Sequence, residues 1–243
     1  MSSDKYVERT YRKYMKAPDL VSFQVKIQES DLYILAKKDL KKEAEKFLLF
    51  YRKQIEDYIL EDPVFKLTLS PHRPKDNAPK IVQDMCFWSG KAGVGPMASV
   101  AGAIAEYVGK ELLNYSDEII VENGGDIFIS TQKERKVAIF AGESPWSNKI
   151  GVLIPPNATL GVCTSSGKVG PSLSFGVADA VMIISNSAVF SDALATAVGN
   201  MIKNEKDVEL GIEFARKFPE VIQVVIVFDK HLGVWGDLEL IKL

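Results

Sequence analysis

The chain has 243 residues, 47% of them hydrophobic, and a formal net charge of −2. That length supports a sizeable core, in one large domain or two small ones. The near-neutral charge gives no broad pull toward nucleic acid or an anionic membrane, so neither partner is expected.

The first strand candidates are LVSFQVKIQES, which alternates in polarity, and DLYILAKKD after a short polar turn. LKKEAEKFLLFYRKQIEDYIL then reads as a helix. Phe47, Leu48, Tyr51, Ile55, Tyr58 and Ile59 share one face of it, and Pro63 closes it. Residues 69–80, LSPHRPKDNAPK, are rich in proline and polar groups and predict an exposed loop. Two helical runs follow, IVQDMCFWSGKAG and VGPMASVAGAIAEYVGKELL. The second is rich in Ala, Gly and Ser, which permits close approach of another backbone or of a ligand. EIIVENGG, DIFIS, KVAIFAG, KIGVLIP and AVMIIS read as strands. FSDALATAVGNMIK and KDVELGIEFARKF read as helices, and the final EVIQVVIVFDKHLGVWGDLELIKL as a hairpin. Strands and helices are interspersed without regular βαβ alternation. The predicted class is α+β (mixed α/β), with mainly antiparallel sheets covered by helices.

No stretch approaches about 18 uninterrupted apolar residues, so no membrane-spanning helix is predicted. The segment MSSDKYVERTYRKYMK is charged and lacks the apolar core of a secretory signal. Cys86 and Cys163 are far apart and His72 and His231 are the only histidines, so no zinc spacing or His-based triad is offered. A reducing, cytoplasmic setting is the expectation.

Three stretches carry polar groups suited to chemistry. In IIVENGGDIFIS, two glycines between strands suit a hairpin turn with positive φ. The same bare backbone also suits a flat ligand or a phosphate, with Asn123, Gly124, Gly125 and Asp126 as contacts. In GVCTSSGKVGPSLSFGVADA, residues 161–180, a loop of hydroxyls and glycines is expected. Thr164, Ser165, Ser166 and Gly167 supply phosphate-binding groups there, and Lys168 a positive charge. A polar surface connector has the same composition. In FSDALATAVGN, Ser191 is expected to cap a helix and Asp192 to occupy its first turn, a position favoured by about 0.3–1 kcal/mol. Thr196 lies four residues on, so the two also offer hard oxygen donors suited to Mg²⁺ or Ca²⁺. Cys163, just before the Thr-Ser-Ser-Gly run, reads as a buried packing residue or as a thiol activated by nearby amides.

In this order, the three stretches resemble the ApbE-like family, whose best-known members are FAD:protein FMN transferases. The resemblance rests on Asn123-Gly124-Gly125-Asp126, Thr164-Ser165-Ser166-Gly167 and Ser191-Asp192-Ala193-Leu194-Ala195-Thr196-Ala197. GKAGVGPMASVAGAIAEYVG and SSGKVGPSLSFGVADAV are closer still to a smaller branch found in archaea and anaerobic bacteria. It covers roughly residues 65–200. It implies an ApbE-like fold in a single domain over 1–243, binding of FAD or FMN, a requirement for Mg²⁺, and transfer of FMN to an acceptor protein. It further implies that Asp192 and Thr196 contact the metal, with a backbone carbonyl near Met97 or Ala98. No catalytic residue is assigned. The family's Gly-x-Ile-Ala-Lys-Gly lysine has no counterpart between Gly95 and Gly102. Its His-x-x-Asp-Pro-x-x-Gly run is replaced by Lys168-Val169-Gly170-Pro171-Ser172-Leu173-Ser174-Phe175-Gly176. The branch is associated with sulfide assimilation and homocysteine formation, so a carrier or assembly partner of sulfur metabolism stays open beside flavin transfer. A silent scaffold that forms a homodimer through its small-residue helices stays open too.

Overall fold

The computed structural model describes residues 9–15, 17–167 and 176–243. Eleven strands and six α-helices are described. The strands are β1 (Val21–Ile27), β2 (Ser30–Ala36), β3 (Ile119–Asn123), β4 (Asp126–Thr131), β5 (Arg135–Ala138), β6 (Ile150–Ile154), β7 (Ala158–Ser165), β8 (Ala180–Ser185), β9 (Val221–Phe228), β10 (His231–Gly236) and β11 (Leu240–Lys242). The helices are α1 (Lys41–Glu61), α2 (Pro63–Leu67), α3 (Lys80–Ala92), α4 (Val100–Leu112), α5 (Ala188–Met201) and α6 (Asp207–Ala215). Two short 3₁₀ turns, Thr10–Tyr14 and Pro96–Ser99, complete the set.

Eight strands form one antiparallel sheet in the order β1-β2-β3-β4-β7-β8-β9-β10, and β11-β6-β5 form a second. The central strands of the large sheet, β8 and β9 above all, are buried on both faces, which their burial patterns make visible. On β8, Val181 and Ile183 pack with α5 and α6, while Ala180, Met182 and Ile184 pack with the small sheet. On β9, Val224 and Ile226 take the helical side, and Val225 and Val227 the other. Near-continuous Val and Ile runs are what a strand with two covered faces requires. The antiparallel sheets and covering helices match the predicted class. Among the described residues, no helix is long and apolar enough to cross a membrane.

Helix α1 buries Leu48, Tyr51, Ile55 and Tyr58 at helical spacing, as its pattern predicts. Pro63 ends it and opens α2, where its missing N–H costs nothing. Residues 69–79 are without helix or strand, and α3 begins at Lys80.

The structure differs from the sequence reading in three places. The predicted loop of 161–180 is shorter, because Gly161 to Ser165 belong to β7 and pair with β8, the first three of them with β4 as well. Alternating apolar residues there are claimed by two neighbouring strands, which outweighs the glycine and serine content. The C-terminal stretch is a β9–β10 hairpin only as far as Gly236; β11 then crosses to pair with β6. Helix α5 starts earlier than expected. Its N-cap is Ser187, whose hydroxyl accepts the Phe190 N–H at 3.4 Å, so Ser191 is not the cap.

Glu118 is buried just before β3 and is tied to three partners. Lys37 Nζ lies 2.7 Å away, Arg135 Nη2 2.6 Å, and Thr131 donates at 2.9 Å. Burial pushes this carboxyl up, but the hydrogen bonds from Lys37, Arg135 and Thr131 outweigh it and hold the pKa at about 2. A depressed carboxyl stabilises the fold above its unfolded value of 4.5, and that contribution disappears as pH falls through about 2. Glu118→Gln is therefore expected to cost about 3 kcal/mol at pH 7, and to flatten the fall in stability between about pH 4.5 and pH 2. Urea unfolding across that pH range measures both effects; an unchanged acid slope contradicts the assignment.

Candidate functional site

The Gly124–Gly125 turn joins β3 to β4, with Asn123 paired to Asp126. Both glycines have positive φ, 72° and 104°, which a side chain at either position would strain. The turn's backbone thus carries no side chain at either position. Asn123 Nδ2 donates to the Ala101 carbonyl at 3.1 Å, fixing the turn against the start of α4. Glu122 sits behind it, fully buried, and accepts the Gly125 N–H at 2.9 Å.

Asp192 lies one turn inside α5, not at its exposed end. Ser187 takes the cap one turn earlier, which leaves Asp192 buried against α4. There its Oδ2 accepts the Gly102 N–H at 2.8 Å, and the carboxylate also receives the Ala101 N–H. Asp192 therefore supplies, from a neighbouring helix, the capping acceptor that the α4 N-cap residue Ser99 does not. Gly102 makes this possible. A methyl group there would lie 2.2 Å from the Ala188 carbonyl oxygen and 2.8 Å from Asp192 Cβ. Gly161 likewise brings β7 against the start of α5, where a methyl would meet Ala188 N at 2.2 Å.

Asp126 begins β4 and is buried within electrostatic reach of Asp192. Burial drives its pKa well above the ordinary range, and the Asp192 charge drives it further. The Cys163 thiol and the Thr164 N–H oppose this as hydrogen-bond donors, while the Glu122 charge adds to it. Burial also pushes Asp192 up to about 7, against the two α4 amides that favour its charged form. Two carboxylates in one water-poor pocket leave a deficit of positive charge, which a proton or a cation fills.

Thr196 is half-buried one turn beyond Asp192, and Asn200 continues the same stripe of α5. Asn200 has no counterpart among the residues singled out in the sequence, although its i+8 spacing from Asp192 is the signal that finds it. Thr164 and Ser165 end β7, paired with Met182 and Val181, and Ser166 and Gly167 follow. The Gly167 N–H donates to the Ala178 carbonyl at 3.0 Å and closes the base of the loop. Lys168 lies outside the described residues. Ala98 is part of the 3₁₀ turn Pro96–Ser99 and packs in the apolar cluster of α5. The structure thus brings Asn123, Gly125, Asp126, Thr164 and Asp192 into one cluster, through the contacts above and the 3.5 Å approach of a Gly125 Cβ to the Thr164 carbonyl. Among the described residues, no three His, Cys, Asp or Glu side chains form a metal-binding group. A cation here would need hydroxyl, carbonyl, water or phosphate oxygens beside the carboxylates.

Cys163 does not carry the activated thiol that the sequence left open. It is fully buried, its single S–H faces both the Asp126 carboxylate and the Ala188 carbonyl, 3.3 Å from Sγ, and burial together with the Asp126 charge pushes its pKa well above the ordinary value. A thiol held protonated is a poor nucleophile and metal ligand.

The sequence reading also missed the segment that covers the turn. Tyr11 donates to Glu122 Oε1 at 2.7 Å, and Arg12 Nε lies 2.6 Å from Glu122 Oε2. Arg12 also holds Asp31 at 2.8 Å. Long-range pairing of a charged N-terminal run has no local periodicity to reveal it.

Comparison with known proteins agrees with this architecture. The model of a family described as AbpE bacteria matches residues 12–218. A UPF0280 protein of Methanothrix thermoacetophila is 42% identical over 193 residues, 79% of this chain and 81% of the relative. A UPF0280 protein of Methanococcus vannielii is 38% identical over 229 residues, 90% of this chain and 92% of the relative. Among solved structures, the apo flavinyl transferase ApbE of Pseudomonas stutzeri superposes with a TM-score of 0.59 at 14% identity, covering 89% of this chain and 93% of that one. The ApbE protein of Thermotoga maritima gives 0.52 at 12% identity, covering 88% and 96%. At such identities the structural likeness is one of fold.

Asp126→Asn keeps the acceptor for Cys163 and Thr164 but removes one buried charge. In chelator at pH 8 it is expected to raise the melting temperature, by about 2–4 °C for each 1 kcal/mol of relieved repulsion. A lowered melting temperature would mean that the two carboxylates do not oppose each other.

Proposed function

We propose that this chain, which belongs to the ApbE-like AbpE bacteria family, binds a flavin nucleotide together with a divalent cation, as one domain over residues 1–243. The observation that carries the reading is the buried pair Asp126 and Asp192, beside a bare Gly-Gly turn and a run of hydroxyls. The donor set fits a hard cation such as Mg²⁺: two carboxylates short of positive charge, no accessible thiolate and no imidazole. Asp192 and Thr196 would hold the ion, with Asp126 nearby and a backbone carbonyl at Ala98. When bound, Mg²⁺ neutralises charge on a phosphate ester.

The chain's own groups have separable roles. The Gly124–Gly125 backbone and Asn123 border the FAD or FMN. Asp126 borders that surface at the start of β4. Thr164, Ser165, Ser166 and Gly167 donate to phosphate oxygens, with Lys168 as a counter-charge. Transfer of FMN from FAD to a Thr or Ser of an acceptor protein is the reaction proposed for this site. It would proceed without the lysine and the His-x-x-Asp-Pro groups of the transferases described above, so turnover is expected to be slow relative to binding. The flavin transferases that share this fold supply the analogy of chemistry, and the buried carboxylate pair supplies its physical basis here.

The test combines binding with chemistry. FAD and Mg²⁺ together are expected to raise the melting temperature of the wild-type protein, and AMP is expected to be released in the presence of an acceptor peptide containing Thr. Asp192→Ala is expected to lose both effects. A wild type with neither stabilisation nor AMP release would overturn the reading.

A further inference from the structure

We propose that Arg9 completes an anion site at the Gly124–Gly125 turn and takes a phosphate of the ligand, a role that rests on the flavin-nucleotide reading above. Arg9 precedes the matched family span of residues 12–218, so the family match does not assign it.

The argument begins with what fixes the segment. Arg12 is buried between two acidic partners, with Nε 2.6 Å from Glu122 Oε2 and Nη1 2.8 Å from Asp31 Oδ1. Burial lowers its pKa, but Glu122 and Asp31 more than compensate, so Arg12 stays charged. Tyr11 donates to Glu122 Oε1, the same oxygen that accepts the Gly125 N–H. The N-terminal segment and the Gly-Gly turn are thus joined through one carboxylate, and the segment has little freedom to leave the turn.

Arg9 is held by the same arrangement. Its Nη1 donates to the Asp31 carbonyl at 2.6 Å and lies 3.9 Å from the Asp31 carboxylate, which is already engaged by Arg12 and Gln24. Its Nη2 faces the turn: a Cβ at Gly124 would lie 3.2 Å from it. A guanidinium carries five N–H donors, and the Asp31 carbonyl is the one hydrogen-bond acceptor given to Arg9 among the described residues. The side chain is 17% exposed, so its remaining donors are partly open beside the turn. A phosphate oxygen beside the bare turn satisfies them, and the planar fork suits a phosphate better than an ammonium does.

Titration calorimetry with FMN, riboflavin and inorganic pyrophosphate tests the proposal on wild type, Arg9→Ala and Arg9→Lys, with apo melting curves to check folding. FMN and riboflavin share the ring and differ in the phosphate; pyrophosphate carries the anion alone. Arg9→Ala is expected to weaken FMN and pyrophosphate roughly ten-fold and to leave riboflavin within about two-fold, with Arg9→Lys between. Unchanged FMN and pyrophosphate affinity, or an equal loss of riboflavin, overturns the role of Arg9 while leaving flavin binding intact. Wild type that binds pyrophosphate through Arg9 but neither flavin overturns the flavin reading and keeps the anion site. Wild type that binds none of the three overturns both.

Discussion

Two carboxylates, Asp126 and Asp192, are buried within electrostatic reach of each other, and much of the local structure answers to that constraint. Asp192 is held by the first amides of α4, whose partial positive charge favours an anion. Asp126 has the Cys163 thiol and the Thr164 amide. These donors reduce the electrostatic cost without cancelling it, since both pKa values remain raised. The glycines follow from the same need for closeness. Gly102 lets α4 reach Asp192, and Gly161 lets β7 reach the start of α5. Neither position tolerates a methyl group without displacing backbone.

The small-residue composition of α4 and α5 gains a cause in these contacts. Ala and Gly at the helix crossing are the condition for burying Asp192 against another helix's N-terminus. A helix-start aspartate caps its own helix. Asp192 instead caps a neighbour, while Ser187 serves its own helix. The Gly102 N–H engages one carboxylate oxygen of Asp192, Oδ2, at 2.8 Å.

The fold class was legible in the sequence because each element carries its own period. The α1 face from Leu48 to Tyr58 and the Val and Ile run of β9 are local signals. The Gly-Gly turn was legible too, since two positive φ angles select glycine. Strand β7 was obscured by its glycine, serine and threonine content, and only pairing with β4 and β8 fixes it. The start of α5 was misplaced by four residues because Ser187 and Ser191 are both good caps; Ser191 instead bonds the Gly161 carbonyl and Ser185 inside the fold. The partnership of Asp126 with Asp192 spans 66 positions, and that of Arg12 with Glu122 spans 110. No window of sequence contains either pair.

The account stands on the claim that the Asp126–Asp192 pocket accepts a cation. Titration calorimetry with MgCl₂ at pH 7.5, with no nucleotide present, tests it most directly. The account predicts one Mg²⁺ bound per wild-type chain and none in Asp192→Asn, with the variant still folded. Wild type that binds no Mg²⁺, or a variant that binds it equally well, would contradict it.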